Sequence, residues 1–575
     1  MSSVTLNPRS EKIQRRGGRR GLSKTLARWC LMLGAVPGLL HAQIIRGTVS
    51  SAVGAGRVPG AVILLLDSSL TTRARALTSD SGTFAIGALA PGRFHLKVMR
   101  IGFRPTESRV FDLARDTTID VALTDIPVVL PAVSTRDRND CRLHPDTTQA
   151  GLLTFALWEQ AHTAFLAAAI TLEQRDYRFE KLQHVRLYEV RPGTLRDISL
   201  REVETHGTAP WVSLPAERLR EGGYAVEDDS GMTFFAPDLD VLLSSYFTEA
   251  HCLRLATHPA PAPGLVGLDF EPNGRPRHVE IRGTIWLDSA SNELRTLRFT
   301  FVNLPVSAPD TLLGGHIGFT RIGTGAWIIP SWSISMPTPV RRQLRLSNTP
   351  SRWRLTADWI RVAGGELRAV RRGDAGDSVP PVWRAPTGSV RVRAVDSSDS
   401  SAVYTSRITI HLAGSPYAGY TANDGTVTFS QLLPGSYLFE ATTPLHDAIE
   451  AIPSHVLVAA RADTTIESRL SFKPLPLAAA EVCDDKAVGR EKGVVAGHVT
   501  SGDGKGPVAQ ASVTVEWTGD AAKASSRNDG YFRVCGVPRE QLLLVRASRE
   551  KSMATTTLTL APDEVVRVLD LTMKP

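Results

Sequence analysis

The chain has 575 residues, a length that corresponds to about four domains. Its 42% hydrophobic and 22% charged composition excludes a disordered chain. The net charge of +8 does not indicate nucleic-acid binding, because residues 1–42 hold eight basic side chains and one acidic one, and the remainder holds 58 basic and 57 acidic residues. The 46 glycines and 36 prolines favour turn-rich β structure.

The N-terminal segment has the layout of a secretory signal peptide. A basic region over residues 9–28 is followed by an apolar stretch from Trp29 to Leu40, and the small residue Ala42 precedes the expected cut. The apolar stretch is too short to span a bilayer as a permanent helix, so we expect no integral membrane protein after cleavage of residues 1–42. Arg19 and Arg20 partly match a twin-arginine signal, but ordinary secretion is favoured. The predicted location is the periplasm, or the outer membrane or cell surface.

Four cysteines remain after removal of the signal peptide. An even number in an exported chain predicts disulfides. Four cysteines allow three pairings, and domain boundaries favour Cys141 with Cys252 and Cys483 with Cys535. No Cys-x-x-Cys motif is present, so neither a zinc ribbon nor a thioredoxin-like site is indicated.

An internal repeat is the strongest signal in the sequence. Copies are predicted at 43–130, 388–474 and 483–575, and each carries a Gly-centred turn followed by an alternating strand. The turn glycines are Gly82, Gly425 and Gly530, and in the first two copies a Pro-Gly turn follows ten residues later, at Gly92 and Gly435. The turn positions require positive φ angles. Period-two alternation with one apolar face predicts half-buried strands in small sandwiches of about seven strands.

At these residues the sequence resembles the carboxypeptidase regulatory-like domain. The resemblance implies a transthyretin-like or Ig-like β-sandwich, grouped with carbohydrate-binding-like folds, and it is best in the first copy. It also implies a non-catalytic role, because this domain typically accompanies a catalytic domain or decorates bacterial surface proteins. The overall expectation is a mainly β protein with three small sandwiches flanking a central α+β antiparallel-sheet domain.

The central region, predicted at 141–363, has a different pattern. Apolar residues near helical spacing predict one amphipathic helix packed on a sheet, and they include Leu152, Trp158, Phe165 and Leu172. Strands are predicted at 177–190, 278–287, 293–302, 316–322 and 326–336, arranged as an antiparallel meander. A Gly-, Pro- and Arg-rich stretch at 364–387 is predicted to be a linker.

The sequence contains no complete set of known catalytic motifs. No histidine is followed by Glu at the offset of a zinc peptidase, and no Gly-x-Ser-x-Gly elbow or phosphate loop occurs. His278 and Glu280 have the wrong spacing for a metal, and an ion pair on one strand face is favoured. The acidic stretches at 227–229 and 238–240 lack calcium-loop spacing and are interpreted as solvated turns. The sequence therefore predicts no cofactor, no metal and no enzyme activity.

Aromatic residues offer one route to a ligand. Trp286, Trp327 and Trp332 are the candidates for stacking on sugars, although tryptophans on a sheet usually fill the core.

Three functions remain open from the sequence. The first is a non-catalytic envelope protein that binds or scaffolds an envelope or outer-membrane protein, with an accessory role in outer-membrane transport among the options. The second is a carbohydrate-binding protein with a glycan partner. The third is a hydrolase hosted by the central domain, built from carboxylates that are distant in sequence.

Overall fold

The computed structural model describes residues 43–54, 56–88, 90–125, 149–190, 195–207, 209–228, 231–305, 313–344, 352–399, 402–403, 407–502 and 506–574. The predicted signal peptide, Cys141 and Asp229 lie outside these residues. Two compact units are present. The first extends to Arg384 apart from Ile198–Arg201, and the second comprises Ile198–Arg201 and Ala385–Pro575.

The first sandwich occupies the start of the first unit and consists of two small sheets. Its strands are β1 (Gln43–Ser51), β2 (Val62–Asp67), β3 (Thr72–Leu77), β4 (Thr83–Ala88), β5 (Gly92–Met99), β6 (Thr106–Glu107), β7 (Phe111–Leu113), β8 (Thr117–Thr118) and β9 (Val121–Leu123). One sheet has the order β4-β1-β8, with β9 also paired to β1, and the other has the order β3-β2-β5-β6. The sandwich core contains Ile45, Val49, Ile63, Leu65 and Leu96, all fully buried.

The second unit repeats this strand order twice. The second sandwich comprises β24 (Gly388–Asp396), β25 (Thr409–Leu412), β26 (Ala418–Tyr420), β27 (Thr426–Leu432), β28 (Gly435–Thr442), β29 (Ser454–Ala460) and β30 (Thr465–Phe472), with α5 (Pro444–Ala448) inserted. After α6 (Leu475–Val482), the third comprises β31 (Lys492–Ser501), β32 (Ser512–Trp517), β33 (Asp520–Ser525), β34 (Tyr531–Pro538), β35 (Leu543–Arg549), β36 (Ser552–Leu558), β37 (Val566–Val568) and β38 (Leu571–Met573). In all three, the first strand pairs in parallel with the last strands.

The three turn glycines of the repeat have the same backbone conformation. Gly82, Gly425 and Gly530 have φ angles of 72°, 73° and 81°. In each turn the glycine N–H donates to the carbonyl three residues earlier, over 2.9 Å. This left-handed conformation costs an L-residue with a side chain about 1 kcal/mol or more, which explains why glycine recurs at this position.

One disulfide belongs to the second unit. Cys483, at the C-terminal end of α6, is bonded to Cys535 of β34, with the Cα atoms 5.9 Å apart. This pairing confirms the prediction. The pairing predicted between Cys141 and Cys252 stays a prediction, because Cys141 lies outside the described residues.

The central domain is built around a sheet of ten strands. Its elements are α1 (Gln149–Gln174), β10 (Tyr177–Glu189), β11 (Leu195–His206), α2 (Ala216–Gly222), β12 (Ala225–Asp228), β13 (Gly231–Phe234), α3 (Leu239–Leu243), α4 (Ser245–Ala250), β14 (His251–Leu255), β15 (Leu265–Pro272), β16 (Glu280–Asp288), β17 (Leu294–Val302), β18 (Gly314–Gly318), β19 (Thr320–Arg321), β20 (Trp327–Ile328), β21 (Ser331–Leu344), β22 (Arg352–Arg372) and β23 (Trp383–Arg384). The sheet order is β11-β10-β22-β21-β18-β17-β16-β15-β14, with β23 beside β22.

Helix α1 packs on this sheet as the apolar spacing predicts. Trp158 and Phe165 are 6% and 0% exposed, and they share one core with sheet residues such as Ile285 and Leu297. Residues Met99 and Ile101 of the first sandwich join the same core, so the sandwich and the central domain pack together within the first unit. Across the described residues, no helix has both the length and the apolar character needed to cross a membrane.

The predicted linker at 364–387 is wrong over its first part. Residues up to Arg372 belong to β22, the longest strand of the central sheet, and the central domain extends to Arg384. Gly364 and Gly365 lie inside this strand. Glycine is needed at both positions because neighbouring atoms leave no room for a side chain. A Cβ at Gly365 would lie 2.4 Å from Trp332, and one at Gly364 would lie 2.7 Å from His184.

Candidate ligand-binding cleft

The three tryptophans predicted to bind sugars are core residues. Trp286, Trp327 and Trp332 are 4%, 1% and 4% exposed. Trp327 and Trp332 belong to the core beneath α1, and Trp286 meets the ring of His258 edge-on at 5.4 Å between centroids. Because a sugar needs an open ring face, the prediction that these residues form a stacking site is wrong.

A large cleft instead lies between the first sandwich and the central domain, inside the first unit. Its volume is about 1140 Å³. It is lined by the outer face of the sheet β4-β1-β8 on one side and by the ends of α1, β10 and β22 on the other. No short sequence motif spans these segments, so the sequence did not indicate this cleft.

The sandwich side of the cleft carries mainly hydroxyl and charged side chains. Strand β1 pairs antiparallel with β4, which places Thr48 opposite Thr83. It pairs in parallel with β8, which places Arg46 opposite Thr118. Asp120 accepts hydrogen bonds from the Thr48 hydroxyl at 2.6 Å and from the Thr48 amide at 2.8 Å. These two bonds lower the pKa of Asp120, which keeps its carboxylate negative at neutral pH.

The central-domain side carries charges of both signs. Arg372, the last residue of β22, pairs with Asp80 of the sandwich over 3.0 Å. Asp176 and Asp374 also line this side. Arg175 lines it too and forms no ion pair within the described part of the chain. Arg175 has a φ angle of 54° immediately after the last residue of α1, a position at which glycine is the usual residue.

Strand β4 adds an unpaired sheet edge to the cleft. Among the described strands, β4 pairs only with β1 and therefore ends its sheet, and Thr83, Phe84 and Ala85 of β4 line the cleft. An edge strand presents backbone N–H and C=O groups that can pair with another extended chain. The cleft therefore combines a backbone edge, hydroxyl groups and charges of both signs.

A buried polar cluster lies elsewhere in the central domain. Tyr246 donates to Glu280 Oε1 over 3.1 Å, and His251 Nε2 lies 3.9 Å from Glu280 Oε2. The ion pair predicted between His278 and Glu280 is therefore replaced by contacts with Tyr246 and His251. Burial raises the pKa of Glu280 to about 7 and lowers the pKa of His251 to about 4. His251 is thus neutral near pH 7, whereas Glu280 is about half protonated there and becomes fully protonated as the pH falls towards 5.

The raised pKa of Glu280 predicts a pH-dependent stability effect. In the native state Glu280 keeps its proton up to a pKa of about 7, whereas the reference pKa is 4.5, so stability is lost as the pH rises through this interval. Glu280→Gln stays neutral, and its free energy of unfolding relative to wild type should rise by about 3 kcal/mol between about pH 5 and about pH 8. Urea unfolding at the two pH values measures this change.

Glu249→Gln provides the control for that experiment. Glu249 is an exposed carboxylate paired with Arg220 over 2.7 Å, and this partner lowers its pKa. Its substitution should shift stability by the same small amount at both pH values. An equal offset for Glu280→Gln at both pH values would contradict the assignment of a buried, protonated Glu280.

A second cluster of polar side chains, formed by His258, Asp269 and Thr284, lines a surface cavity of about 400 Å³. His258 Nε2 lies 3.0 Å from Asp269 Oδ1, and the Thr284 hydroxyl donates to the same oxygen over 2.6 Å. The hydrogen bond with Asp269 raises the pKa of His258. The Thr284 hydroxyl also lies 3.2 Å from His258 Nε2, the same ring nitrogen that contacts Asp269. In a catalytic triad the carboxylate and the hydroxyl contact opposite ring nitrogens of the histidine, so this arrangement is not that of a triad.

The acidic stretch at 238–240 is more than a solvated turn, because one of its carboxylates caps a helix. Asp238 accepts from the Val241 amide at 3.0 Å and from the Ser213 amide at 2.7 Å, so it caps α3 and is half-buried. The solvated-turn interpretation is wrong for Asp238. The described residues contain no group of three or more His, Cys, Asp or Glu side chains arranged to hold a metal ion.

Comparison with known proteins identifies the sandwich that forms one side of the cleft. Residues 44–124 match the family model of the carboxypeptidase regulatory-like domain. The first sandwich therefore matches the carboxypeptidase regulatory-like domain over its whole length. This match confirms the resemblance that the sequence motifs indicated. The second and third sandwiches share the strand order of the regulatory-like domain but lie outside the matched residues.

Comparisons over longer stretches give only distant similarity. No curated protein matches the sequence significantly. The Bacillus anthracis TIE protein is 9% identical, with 60% of this chain and 64% of that chain covered and a TM-score of 0.15, so the chain spans less than two thirds of that protein. The shaft pilin SpaA from Lactobacillus rhamnosus GG is 10% identical (33% and 98% covered, TM-score 0.14), and a streptococcal ancillary pilin is 16% identical (45% and 81% covered, TM-score 0.15). Similarity at this level supports no inference about function.

Proposed function

We propose that the protein is an exported, non-catalytic binding or scaffolding protein of the bacterial envelope. The cleft beside the regulatory-like domain would hold an extended polypeptide segment of an envelope or outer-membrane protein. The observation that carries this proposal is the unpaired edge of β4 in a cleft of about 1140 Å³ lined by charges of both signs. A cleft of this size exceeds the range of about 300–1,000 Å³ that is usual for small ligands.

Export is supported by two independent features. The first 42 residues have the composition of a signal peptide. The Cys483–Cys535 disulfide is the kind of bond that persists in the periplasm or outside the cell and is rare in the cytosol. Both features are consistent with a partner in the envelope.

The chemistry of the cleft favours a polypeptide over a glycan. Sugar sites usually provide an aromatic platform, and the exposed part of this cleft offers mainly threonine, aspartate and arginine side chains. Of the two aromatic rings at the cleft, Phe84 is buried and Tyr177 is half-buried, so neither offers a fully open face. A polypeptide can use the β4 edge through its backbone and the charged wall through its side chains.

Charge reversal at Arg372 tests the proposed function. The full oxidised chain is immobilised, and its retention of proteins from detergent-solubilised envelope is compared with that of Arg372→Glu. The variant places a new carboxylate near Asp80 and Asp374, so recovery of a specific partner should fall about tenfold or more, equivalent to about 1.4 kcal/mol.

Arg391→Glu is a matched control for this substitution. Arg391 pairs with Glu467 over 2.9 Å in the second sandwich, where both side chains are exposed, as are those of Arg372 and Asp80. Its reversal should leave partner recovery unchanged. Equal recovery by wild type and Arg372→Glu, or recovery of glycan alone, would overturn the proposal.

A further inference from the structure

A second, smaller cavity lies next to the cleft in the first unit. Its volume is about 330 Å³, and Arg175 lines both cavities. Its walls are formed by the end of α1, the segment that contains Trp211, and the start of α3. The two cavities therefore adjoin each other at Arg175.

The cavity has apolar walls and one aromatic ring. Leu172, Leu239 and Ile329 supply aliphatic surface. Trp211 is half-buried, and its ring is tilted against the core residue Trp332 with 6.3 Å between centroids. This contact holds the indole in place beside the cavity. Such walls fit the methylene stem of a long side chain.

The charges at the cavity are mainly acidic. Asp238 accepts hydrogen bonds from two backbone amides, which fix its carboxylate in place. Asp240 is exposed and forms no ion pair with another described residue. Glu173 also lines the cavity, but Arg75 neutralises it through a bond of 2.9 Å from Nε to Oε2. Asp240 is therefore the free carboxylate of the cavity, and Asp238 adds a second carboxylate whose two oxygens each already accept one amide bond. Among the described residues, the one cation that lines the cavity is Arg175, at the boundary with the cleft.

We propose that this cavity is the anchor pocket for a basic side chain, lysine or arginine, of the polypeptide bound in the cleft. The inference rests on the proposed function, and it adds the side-chain specificity of that site. The alkyl stem packs on Leu172 and Leu239, and the cationic end reaches Asp240 and Asp238. Trp211 contributes a cation–π contact, for which tryptophan is the best aromatic partner.

The test uses the full chain labelled with 5-fluorotryptophan and observed by ¹⁹F NMR. The Trp211 resonance is assigned by its loss in Trp211→Phe. The probes are Nα-acetyl-lysinamide, its uncharged counterpart Nα-acetyl-norleucinamide, and N-acetylglucosamine. We expect lysinamide to shift the Trp211 resonance with an affinity about tenfold or more above that of norleucinamide.

Two carboxylate variants refine the experiment. Asp240→Asn should weaken lysinamide binding about tenfold, because the pocket loses its free carboxylate. Asp563→Asn, an exposed aspartate in a turn of the second unit, should bind lysinamide as wild type does. Each variant is made in the full labelled chain. If a substitution unfolded the protein, the resonances of the other fluorotryptophans would change as well.

Three outcomes would overturn the anchor pocket. Equal affinity for norleucinamide would remove the role of charge, a shift with N-acetylglucosamine alone would make the cavity a sugar site, and no shift at Trp211 with any probe would exclude a ligand there. These outcomes are separate from failure of the cleft. If lysinamide binds while Arg372→Glu leaves partner recovery unchanged, the pocket stands and the proposed function fails.

Discussion

Removal of the Cys483–Cys535 disulfide is expected to lower the free energy of unfolding of the third sandwich by about 4 kcal/mol. The bond closes a loop with a sequence separation of 52 residues, and opening it returns that conformational freedom to the unfolded chain. Both cysteines also pack against a small core that includes Ala479, Val494 and Tyr531. The double variant Cys483→Ala/Cys535→Ala would show this loss in chemical denaturation.

The control for the disulfide is the wild-type chain under reducing conditions. Its transition for the third sandwich should approach that of the double variant, whereas unfolding of the first unit should change little. A double variant within about 1 kcal/mol of the oxidised wild type would show that the bond does not constrain this domain.

Trp327→Ala is expected to cost about 3–5 kcal/mol of stability in the first unit. Trp327 is 1% exposed, and its backbone amide lies 3.3 Å from Thr171 Oγ1 of α1. Truncation would leave a cavity beneath the helix that neighbouring side chains fill only in part. Thermal and urea unfolding of the full chain measure the loss.

Trp211→Ala provides the comparison. Its ring is half-buried at the smaller cavity, so its truncation should cost less stability than that of Trp327. A Trp327→Ala variant as stable as wild type would contradict the core position of this ring and restore it as a candidate for sugar stacking.

The repeat was predictable because local chemistry determines it. Positive φ angles at Gly82, Gly425 and Gly530 require a residue without a side chain, and the alternating strands that follow have one apolar face. Helix α1 was predictable for a similar reason, because its apolar residues recur at helical spacing. These signals lie within a few residues of each other in the sequence.

The central sheet was less predictable because its strands are fitted to distant partners. Gly364 and Gly365 indicated a linker, but they are required by the packing of Trp332 and His184 against β22. For the tryptophans the sequence favoured core positions but left sugar stacking open, because composition does not separate a buried ring from an exposed one. Burial depends on the whole sheet.

The cleft was not predictable from any one segment. Tyr177 at the start of β10 pairs with Arg372 at the end of β22, although the two residues are far apart in the sequence. The regulatory-like domain adds Thr48 and Asp80 from a third part of the chain. No motif records such a combination. A site of this kind becomes visible only when the sheet register is known.

Site-specific photocrosslinking tests the cleft most directly. A photoreactive residue replaces Thr83 on β4 or, as a matched control, Thr428 on the equivalent strand β27, and both threonines are exposed. After incubation of the full chain with solubilised envelope and irradiation, a protein adduct should form from position 83 and not from position 428, and Arg372→Glu should remove it. Absence of an adduct at position 83, or equal adducts at both positions, would contradict the cleft as the partner site.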